Sequence, residues 1–309
     1  MRVLVTGGAG FIGAHLCRAL LAEGHAVVVL DDLSTSTGAA LAGLDLRMVT
    51  GSVLSERHLA DAVAGADSVV HLAGLGSVPR SMAQPRRTFE VNALGTVAVL
   101  EAGRAHGVGQ VVVASSSSVY GRHAALPARE DQPLAPASPY AASKLAAERA
   151  ALTWQAAYGL PVLVFRFFNV FGPGQLPDHA YAAVVPRFGR AALSGAPLVV
   201  HGDGLQSRDF TCVGAVVRGL VRAVEERTTA LLPVNLAFGL GRDLLSVAAD
   251  LEDVLGRRLE LRHEPERHGD IRAMRADPTR LGTLLPGLRP TPFRDGLAET
   301  VDWLRSTLS

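Results

Sequence analysis

Three glycines at regular spacing follow the first apolar run of the chain. Gly7 and Gly10 follow the apolar residues 3–5, and Gly13 lies in the first turn of a helical stretch at 11–23. In a strand–turn–helix unit, such glycines allow a tight turn, a close approach of the backbone to a pyrophosphate, and close packing of the helix on the strand. The pattern predicts a dinucleotide-binding unit at the start of the chain, and it restricts the possible folds more than any other feature.

Apolar runs and helical stretches alternate through the first half of the chain. This alternation predicts an α/β fold with a doubly wound parallel (Rossmann) sheet. Beyond residue 169 the texture changes, and we expect a smaller C-terminal substrate-binding lobe. The predicted domains are therefore 1–168 and 169–309, partly interleaved. The β-rich runs are 3–5, 26–30, 46–49, 68–71, 111–114 and 162–166, and the helical stretches include 11–23, 56–64, 88–105, 139–158, 182–194 and 211–224.

Composition excludes several functional classes. A net charge of +1 gives no indication of a nucleic-acid or anionic-membrane partner. No apolar run reaches the roughly 18–20 residues of a membrane helix, and no secretory pattern precedes the first strand, so we expect a cytoplasmic protein. Cys17 and Cys212 are too few for a disulfide framework and lack metal-ligand spacing. We expect buried thiols and no metal site.

An acidic residue ends the second apolar run. Asp31 lies 21 residues after Gly10. A carboxylate at this place accepts hydrogen bonds from the ribose hydroxyls of the cofactor, and its charge repels a 2′-phosphate. The sequence therefore predicts that NAD is bound in preference to NADP.

The chain has a single lysine among its 30 basic residues. Lys144 follows Tyr140 by four positions, which places both on one helix face. The serines at 115–118 end a neighbouring strand, where one of them can form a hydrogen bond with the hydroxyl oxygen of the alcohol that reacts with Tyr140. We expect the ammonium, with the positive nicotinamide ring, to lower the pKa of Tyr140 from its usual value of about 10. This arrangement predicts a site that takes a proton from an alcohol beside a hydride acceptor.

Taken in order, these motifs resemble those of the extended short-chain dehydrogenase/reductases, in their nucleotide-sugar epimerase/dehydratase branch. The resemblance covers nearly the whole chain, and it implies bound NAD, a UDP-sugar substrate and a homodimer. It rests on GGAGFIG at 7–13, VLDDLS at 29–34, HLAG at 71–74, VNALGT at 91–96, SSSSVYG at 115–121, SPYAASK at 138–144, RFFNVFGPGQ at 166–175, GDGLQSRDF at 202–210 and RHGDIR at 267–272.

The resemblance also implies roles for individual residues. The implied catalytic residues are Ser116, which bonds the reacting hydroxyl, Tyr140 as the base and Lys144 as its activator. The implied cofactor contacts are Gly7, Gly10, Phe11, Ile12, Gly13, Asp31, Ser52, Leu72, Ala73, Asn92, Tyr140 and Lys144. The implied substrate contacts are Ser77, Ser116, Ser118, Tyr140, Asn169, Val185, His201, Arg208, Phe210, Arg267, Asp270 and Met274. In this set two arginines, Arg208 and Arg267, are expected on the diphosphate.

Some positions depart from the pattern of the family. Ser52 stands where an aspartate usually contacts adenine, and Gly76 stands where some epimerases have a lysine on the cofactor phosphate. Cys212 and Gly214 replace the aromatic and acidic residues that commonly follow the RDF motif. These departures affect the expected affinity for the cofactor and leave the reaction class unchanged.

The serines at 115–118 limit the reactions of this branch that the chain could catalyse. Related dehydratases carry Asp and Glu where this chain has Ser117 and Ser118. Serine has neither the acidity nor the basicity to eliminate water, so the pattern favours epimerisation at C4. The sugar stays open between the UDP-glucose/galactose and UDP-GlcNAc/GalNAc pairs, since Met274 has an intermediate size at the position that limits pocket width. UDP-glucuronate, with Arg80 as the carboxylate partner, a dTDP-sugar reaction, and a non-catalytic NAD or nucleotide-sugar sensor are the alternatives.

Two helical stretches, 88–105 and 139–158, carry apolar residues on more than one side. Because one stripe must cover the sheet, a second stripe can pair across a two-fold axis as a four-helix bundle. The sequence therefore predicts a homodimer through these helices. The apolar residues concerned include Val97, Leu100, Leu145 and Leu152.

Overall fold

The computed structural model describes residues 1–177, 183–266 and 271–308. The strands are β1 (Arg2–Thr6), β2 (Ala26–Asp31), β3 (Arg47–Thr50), β4 (Ser68–His71), β5 (Val111–Ser116), β6 (Val162–Phe167), β7 (Val170–Phe171), β8 (Leu198–His201), β9 (Ser207–Asp209), β10 (Thr211–Cys212), β11 (Val234–Leu236), β12 (Gly241–Asp243), β13 (Leu261–Glu264) and β14 (Ala273–Met274). The α-helices are α1 (Phe11–Ala22), α2 (Glu56–Val63), α3 (Val78–Ala83), α4 (Pro85–Phe89), α5 (Gly95–Ala105), α6 (Pro139–Tyr158), α7 (Val184–Leu193), α8 (Val213–Glu225), α9 (Leu244–Leu255), α10 (Thr279–Leu284) and α11 (Phe293–Leu308).

A seven-stranded sheet forms the centre of the molecule. Its strand order is β11-β6-β5-β4-β1-β2-β3, and every neighbouring pair is parallel. The chain adds β2 and β3 on one side of β1, and then β4, β5, β6 and β11 on the other. This reversal of strand order at β1 defines the doubly wound arrangement, in which ligands bind at the carboxyl ends of the strands. The predicted fold class is confirmed.

The residues of β1 alternate between two apolar cores. Val3 and Val5 pack with α1 and α8 on one face of the sheet, whereas Leu4 packs with α2, α5 and α6 on the other. Because side chains in a strand point to opposite faces in turn, a strand covered on both sides is apolar at every position. This explains the continuous apolar run at 26–30, which the structure places in β2.

The second half of the chain contributes to the sheet and also forms a core of its own. β11 pairs in parallel with β6 and so extends the sheet at one edge. A separate apolar cluster includes four phenylalanines, from β7, α7, the β9–β10 connection and α11. In the part of the chain that the structure describes, no helix is long and apolar enough to cross a membrane.

Three predicted elements differ from the structure. The helical stretch at 88–105 contains a π-turn, Glu90–Leu94, between α4 and α5. Of the predicted helix at 182–194, the described residues are helical from Val184. In the predicted helix at 211–224, Thr211 and Cys212 instead form β10 before α8 begins. β10 pairs with β7, and Thr211 and Cys212 are both weak helix formers, so the helix begins only at Val213.

Candidate active site

The glycine-rich turn between β1 and α1 is closely packed. Gly7 has a φ of +69°, and a Cβ atom there would lie 2.6 Å from the amide nitrogen of Ala73. A Cβ on Gly13 would lie 2.2 Å from the carbonyl oxygen of Gly7. A larger residue at Gly13 would push α1 away from the turn, and one at Gly7 would clash with the backbone that follows β4. The first amides of α1, at Phe11 and Ile12, have no partner within the helix and can bind an anion such as a pyrophosphate.

Asp31 lies at the carboxyl end of β2, beside this turn. One carboxylate oxygen accepts a hydrogen bond from the amide of Ala9 at 3.0 Å, and the other accepts one from Leu33 at 2.9 Å. Burial raises the pKa of Asp31, and these backbone hydrogen bonds oppose the rise. Each carboxylate oxygen can accept a second donor, so Asp31 can hold the turn and also bind ribose hydroxyls.

Helix α6 carries the predicted base. Ser138 caps its first turn by accepting a hydrogen bond from the amide of Ala141 at 3.1 Å, and Pro139 occupies the first helical position. Proline is favoured there because its missing N–H needs no partner. The cap fixes where the helix begins, and therefore fixes the direction in which Tyr140 leaves the first turn.

The structure brings Ser116, Ser118 and Tyr140 together. Ser118 donates to the hydroxyl oxygen of Ser116 through its amide at 3.2 Å and through its own hydroxyl at 3.0 Å. Ser116 also shares a side-chain hydrogen bond with Tyr140. Burial raises the pKa of Tyr140, and the bond with Ser116 acts in the opposite direction. The predicted lowering of this pKa depends on the nicotinamide ring as well as on Lys144, so it stays a prediction for the NAD-bound protein; in the chain by itself the desolvation of the phenolate dominates.

Lys144 is buried one helical turn after Tyr140. Its ammonium donates to the carbonyl oxygen of Ala114 in β5 at 2.9 Å. Burial lowers the pKa of Lys144 from 10.5 to about 8. A Cβ on Gly74 would lie 3.4 Å from the Lys144 Nζ atom, so this glycine leaves room for the ammonium beside the end of β4.

A buried ion pair lies one turn further along α6. Arg166 in β6 contacts both carboxylate oxygens of Glu148, with Nη2 at 2.6 Å and Nε at 2.9 Å. Ser115 donates to the same carboxylate at 3.0 Å. The pair therefore joins α6 to the two strands that end at the site. The sequence analysis missed it, although Glu148 is separated from Lys144 by the same four positions that link Lys144 to Tyr140.

The π-turn Glu90–Leu94 directs Asn92 towards the carboxyl end of β4. The Asn92 amide group donates to Ser143 Oγ at 3.0 Å and to the carbonyl oxygen of Leu75 at 3.3 Å. Its side-chain oxygen accepts from the amide of Leu75 at 2.7 Å. π-turns are rare, and they occur frequently at functional sites.

Four further predicted residues make local hydrogen bonds near the ends of the strands. Ser77 caps α3 by accepting from Arg80, and Ser52 accepts from the amide of Leu54 at 3.2 Å. The amides of Leu72 and Ala73 bond to Thr6 at the end of β1. The Ser52 hydroxyl oxygen thus accepts one hydrogen bond within its own turn.

A cavity of about 260 Å³ opens beside the end of β6. Its described lining includes Arg187 and Arg208 and contains no carboxylate, which suits an anionic group such as a diphosphate. The cavity brings together five predicted substrate contacts, and the sequence analysis missed Phe171, Arg187, Gln206 and Leu244. The five predicted contacts are Asn169, Val185, His201, Arg208 and Phe210.

The remaining predicted substrate contacts are placed differently. Met274 is 3% exposed and pairs with Arg208 between β14 and β9. It packs in a cluster with Val119 and Phe168, which directly follow Ser118 and precede Asn169 in the chain. Met274 is therefore behind residues that were predicted to contact the sugar. Arg267 and Asp270 lie outside the described residues.

Comparison with known proteins identifies the family. The family model described as "NAD dependent epimerase/dehydratase family" matches residues 3–237. This chain belongs to that family. It is similar to a UDP-glucose 4-epimerase of Mycolicibacterium smegmatis, with 37% identity over 313 residues that cover 99% of each chain.

Two solved structures extend the comparison. A Thermotoga maritima UDP-glucose 4-epimerase, solved with UDP-glucose, superposes with a TM-score of 0.94 at 31% identity and covers 100% of both chains. A protein solved with UDP-glucuronic acid and NAD has a TM-score of 0.87 at 38% identity, and the match covers 99% of this chain and 100% of that protein. The predicted resemblance to the epimerase/dehydratase branch is confirmed, and so is the prediction of NAD as the cofactor.

The family membership and the geometry of the glycine turn agree. In this member of the epimerase/dehydratase family, the missing side chains at Gly7 and Gly13 let the turn pack closely against residue 73 and the start of α1, and Asp31 is fixed beside it. These residues fit a dinucleotide whose pyrophosphate lies at the start of α1. Lys144 bonds to β5, which lies on the other side of β4 from the glycine turn; with Tyr140 it would hold the reactive part of the cofactor.

Proposed function

We propose that this enzyme inverts C4 of a UDP-hexose through a 4-keto intermediate. The proposal rests on one observation above all: the site joins Ser116, Tyr140 and Lys144, while Ser117 and Ser118 stand where an elimination would need an acid and a base. Both serines lie in the short 3₁₀ turn Ser117–Tyr120, directly after β5. Neither hydroxyl can supply or accept a proton at the rate that loss of water requires at neutral pH.

Tyr140 is the group that exchanges a proton with O4 of the sugar. Its hydroxyl shares a hydrogen bond with Ser116, so the serine can hold the reacting oxygen and the phenol at one place. NAD, when bound, supplies the acceptor for the C4 hydride and a positive ring near the phenol. Because burial alone raises the pKa of Tyr140, that positive charge and the Lys144 ammonium offset the desolvation of the phenolate.

Substrate binding is proposed for the cationic cavity beside β6. Arg208 and Arg187 suit the diphosphate, since guanidinium groups bind phosphate oxygens in a bidentate way. Asn169 lies two residues beyond β6, and Ser116 is paired in register with Phe167 at the end of that strand. The diphosphate and the reacting hydroxyl would therefore lie at the same edge of the sheet.

The sugar we favour is a neutral hexose, with or without an N-acetyl group. The similarity to UDP-glucose 4-epimerases supports it. UDP-glucuronate is the second candidate, because a 38% identical protein was solved with that molecule. In that case Arg80, in α3 near the end of β4, is the proposed carboxylate partner.

The test is incubation of the purified protein with UDP-glucose, UDP-GlcNAc, UDP-glucuronate and dTDP-glucose, followed by chromatography of the products. We expect the C4 epimer of a neutral UDP-hexose, with no net change in NADH absorbance. A 4-keto-6-deoxy product would contradict the proposal, and so would turnover of UDP-glucuronate alone. Absence of turnover with all four nucleotide sugars would favour the alternative of a non-catalytic NAD or nucleotide-sugar sensor.

We also propose a homodimer built on the helical stretches 88–105 and 139–158. Leu100 is buried against its own sheet, which leaves Phe89, Leu94 and Tyr158 as the exposed large apolar residues of these stretches, at 40%, 59% and 57% exposure. Light scattering should give the mass of two chains at micromolar concentration. Leu94→Glu should give the mass of one chain, whereas a single-chain mass for the parent would contradict the dimer. A cytoplasmic location stays a prediction.

A further inference from the structure

Three buried polar residues on neighbouring elements form a continuous contact beneath the site. They are Thr6 in β1, His71 in β4 and Thr96 in α5, and each is at most 3% exposed. The Thr6 hydroxyl lies 2.7 Å from His71 Nδ1, and His71 Nε2 lies 3.0 Å from the Thr96 hydroxyl. Both nitrogens of the ring are therefore engaged by hydroxyl groups, and none of these residues has a role in the reaction proposed above.

The contacts at each end fix the direction of every proton. Thr96 Oγ1 lies 2.6 Å from the carbonyl oxygen of Asn92, which can only accept, so the Thr96 hydroxyl donates its hydrogen to that carbonyl oxygen. His71 Nε2 must then carry the hydrogen of the next bond. Burial, together with the charge of Lys144, lowers the pKa of His71 to about 3, so the ring is neutral and Nδ1 has a free lone pair. Thr6 consequently donates to Nδ1.

The path of hydrogen bonds continues from Asn92 to helix α6. Asn92 belongs to the π-turn, and its side chain donates to Ser143 Oγ at 3.0 Å. Ser143 in turn donates to the carbonyl oxygen of Tyr140 at 2.8 Å. At the opposite end, the amide of Ala73 donates to Thr6 Oγ1 at 3.3 Å. Each hydroxyl and the imidazole ring along the path use one donor and accept one hydrogen bond, so reversing one bond would leave a buried group unpaired.

We propose that His71, as the neutral tautomer with hydrogen on Nε2, is a positioning residue that fixes the π-turn and, through Asn92 and Ser143, the first turn of α6 with Tyr140. Relative to the proposed epimerisation, this inference deepens the account of the same site and rests on it. The bond from Nε2 to Thr96 carries the effect, since it orients the hydroxyl that holds the Asn92 carbonyl. The bond from Thr6 to Nδ1 fixes the tautomer.

Two pairs of substitutions separate this role from general packing. His71→Gln places an amide near Nε2 and keeps a donor for Thr96, whereas His71→Asn places its amide near Nδ1 and loses that donor. Thr96→Ser keeps the hydroxyl, whereas Thr96→Val keeps the shape and removes it. Because small displacements of a reacting group cost up to about a hundredfold in rate, we expect His71→Asn and Thr96→Val to lower kcat by about tenfold or more. His71→Gln and Thr96→Ser should stay within about threefold of the parent.

The KM for the sugar and the bound NAD should be unchanged in all four variants. Parent-like kcat in Thr96→Val would overturn the proposal, as would a loss in Thr96→Ser equal to that in Thr96→Val. The Thr96 pair decides the question if a His71 variant fails to fold.

A second measurement does not depend on turnover. Two-bond ¹H–¹⁵N spectra of the labelled parent report which ring nitrogen carries the hydrogen, and the His71 signals are those missing from the His71→Gln variant. We expect an Nε2–H pattern that does not change between about pH 5 and pH 8, the range in which an ordinary histidine titrates. An Nδ1–H pattern or a titration in that range would overturn the proposal. If no sugar is turned over, the proposed function fails while the spectra still decide the tautomer.

Discussion

The buried ion pair between Glu148 and Arg166 allows a quantitative prediction. Their side chains are 0% and 1% exposed, and two guanidinium nitrogens lie 2.6 and 2.9 Å from the two carboxylate oxygens. Removing one partner leaves a charge in the interior without compensation, which costs about 3–5 kcal/mol. We expect Arg166→Met to lower the free energy of unfolding by about 4 kcal/mol, since methionine fills much of the space but leaves Glu148 unpaired.

The double variant should behave differently from the sum of its parts. Glu148→Leu combined with Arg166→Met removes both charges, and replacement of a buried pair by apolar groups is often close to neutral. We therefore expect the double variant to unfold within about 2 kcal/mol of the parent. Ser115, which donates to Glu148, loses one acceptor in the process and accounts for part of that difference.

The assay is urea unfolding followed by circular dichroism for the parent, both single variants and the double variant. The control is Arg86→Met, because the Arg86–Glu90 pair has the arginine side chain 93% exposed and should contribute less than about 1 kcal/mol. Losses that add in the double variant would refute the reasoning. A loss in Arg166→Met as small as that in the control would refute it as well.

Four further predictions concern the site. Tyr140→Phe should bind NAD normally and lower turnover by orders of magnitude, as measured by product chromatography, because the proton acceptor is lost. Lys144 has its pKa lowered by burial to about 8, so the folded protein loses this proton before the unfolded chain does. In NAD-free protein, unfolding stability should therefore rise by about 3 kcal/mol between pH 8 and pH 10.5 relative to Lys144→Met, and urea midpoints that change in parallel would exclude this. Calorimetry should show tighter binding of NAD than of NADP in the parent, with the preference reduced in Asp31→Asn, whose side chain carries no negative charge. Met274→Tyr should reduce activity on N-acetyl sugars more than on plain hexoses, and equal losses would show that Met274 does not limit the pocket.

Much of the fold could be predicted because its signals are local. The spacing of Gly7, Gly10 and Gly13 reflects contacts within one strand–turn–helix unit, and each predicted β-run overlaps a strand of the structure to within two residues. The pairing of Tyr140 with Lys144 is local too, since it depends only on the helical period. Such features need no knowledge of which distant segments meet.

Other features depend on distant contacts and could not be predicted in the same way. The π-turn at Glu90–Leu94 is stabilised by a hydroxyl from α5 and by the backbone of residue 75, and its residues have no composition that distinguishes them from an α-helix. The raised pKa of Tyr140 follows from how much of the fold surrounds it, whereas the sequence shows only the charge four positions away. Burial is a property of the assembled structure, so the charge-based argument could not include the desolvation that raises this pKa in the chain without NAD.

The buried polar residues behind the site show where sequence reasoning stops. The sequence analysis assigned no role to Glu148, Arg166 or His71, although the last two begin motifs of the family, because each side chain functions through a partner on another element. A buried polar group without a partner costs free energy, so every one of these side chains must be satisfied for the fold to form. The same bonds fix Ser116, Asn92 and the first turns of α6 relative to the sheet. These bonds form two separate sets, one around Glu148 and one around His71, and we expect substitutions in either set to affect the site although none of these residues is proposed to contact substrate.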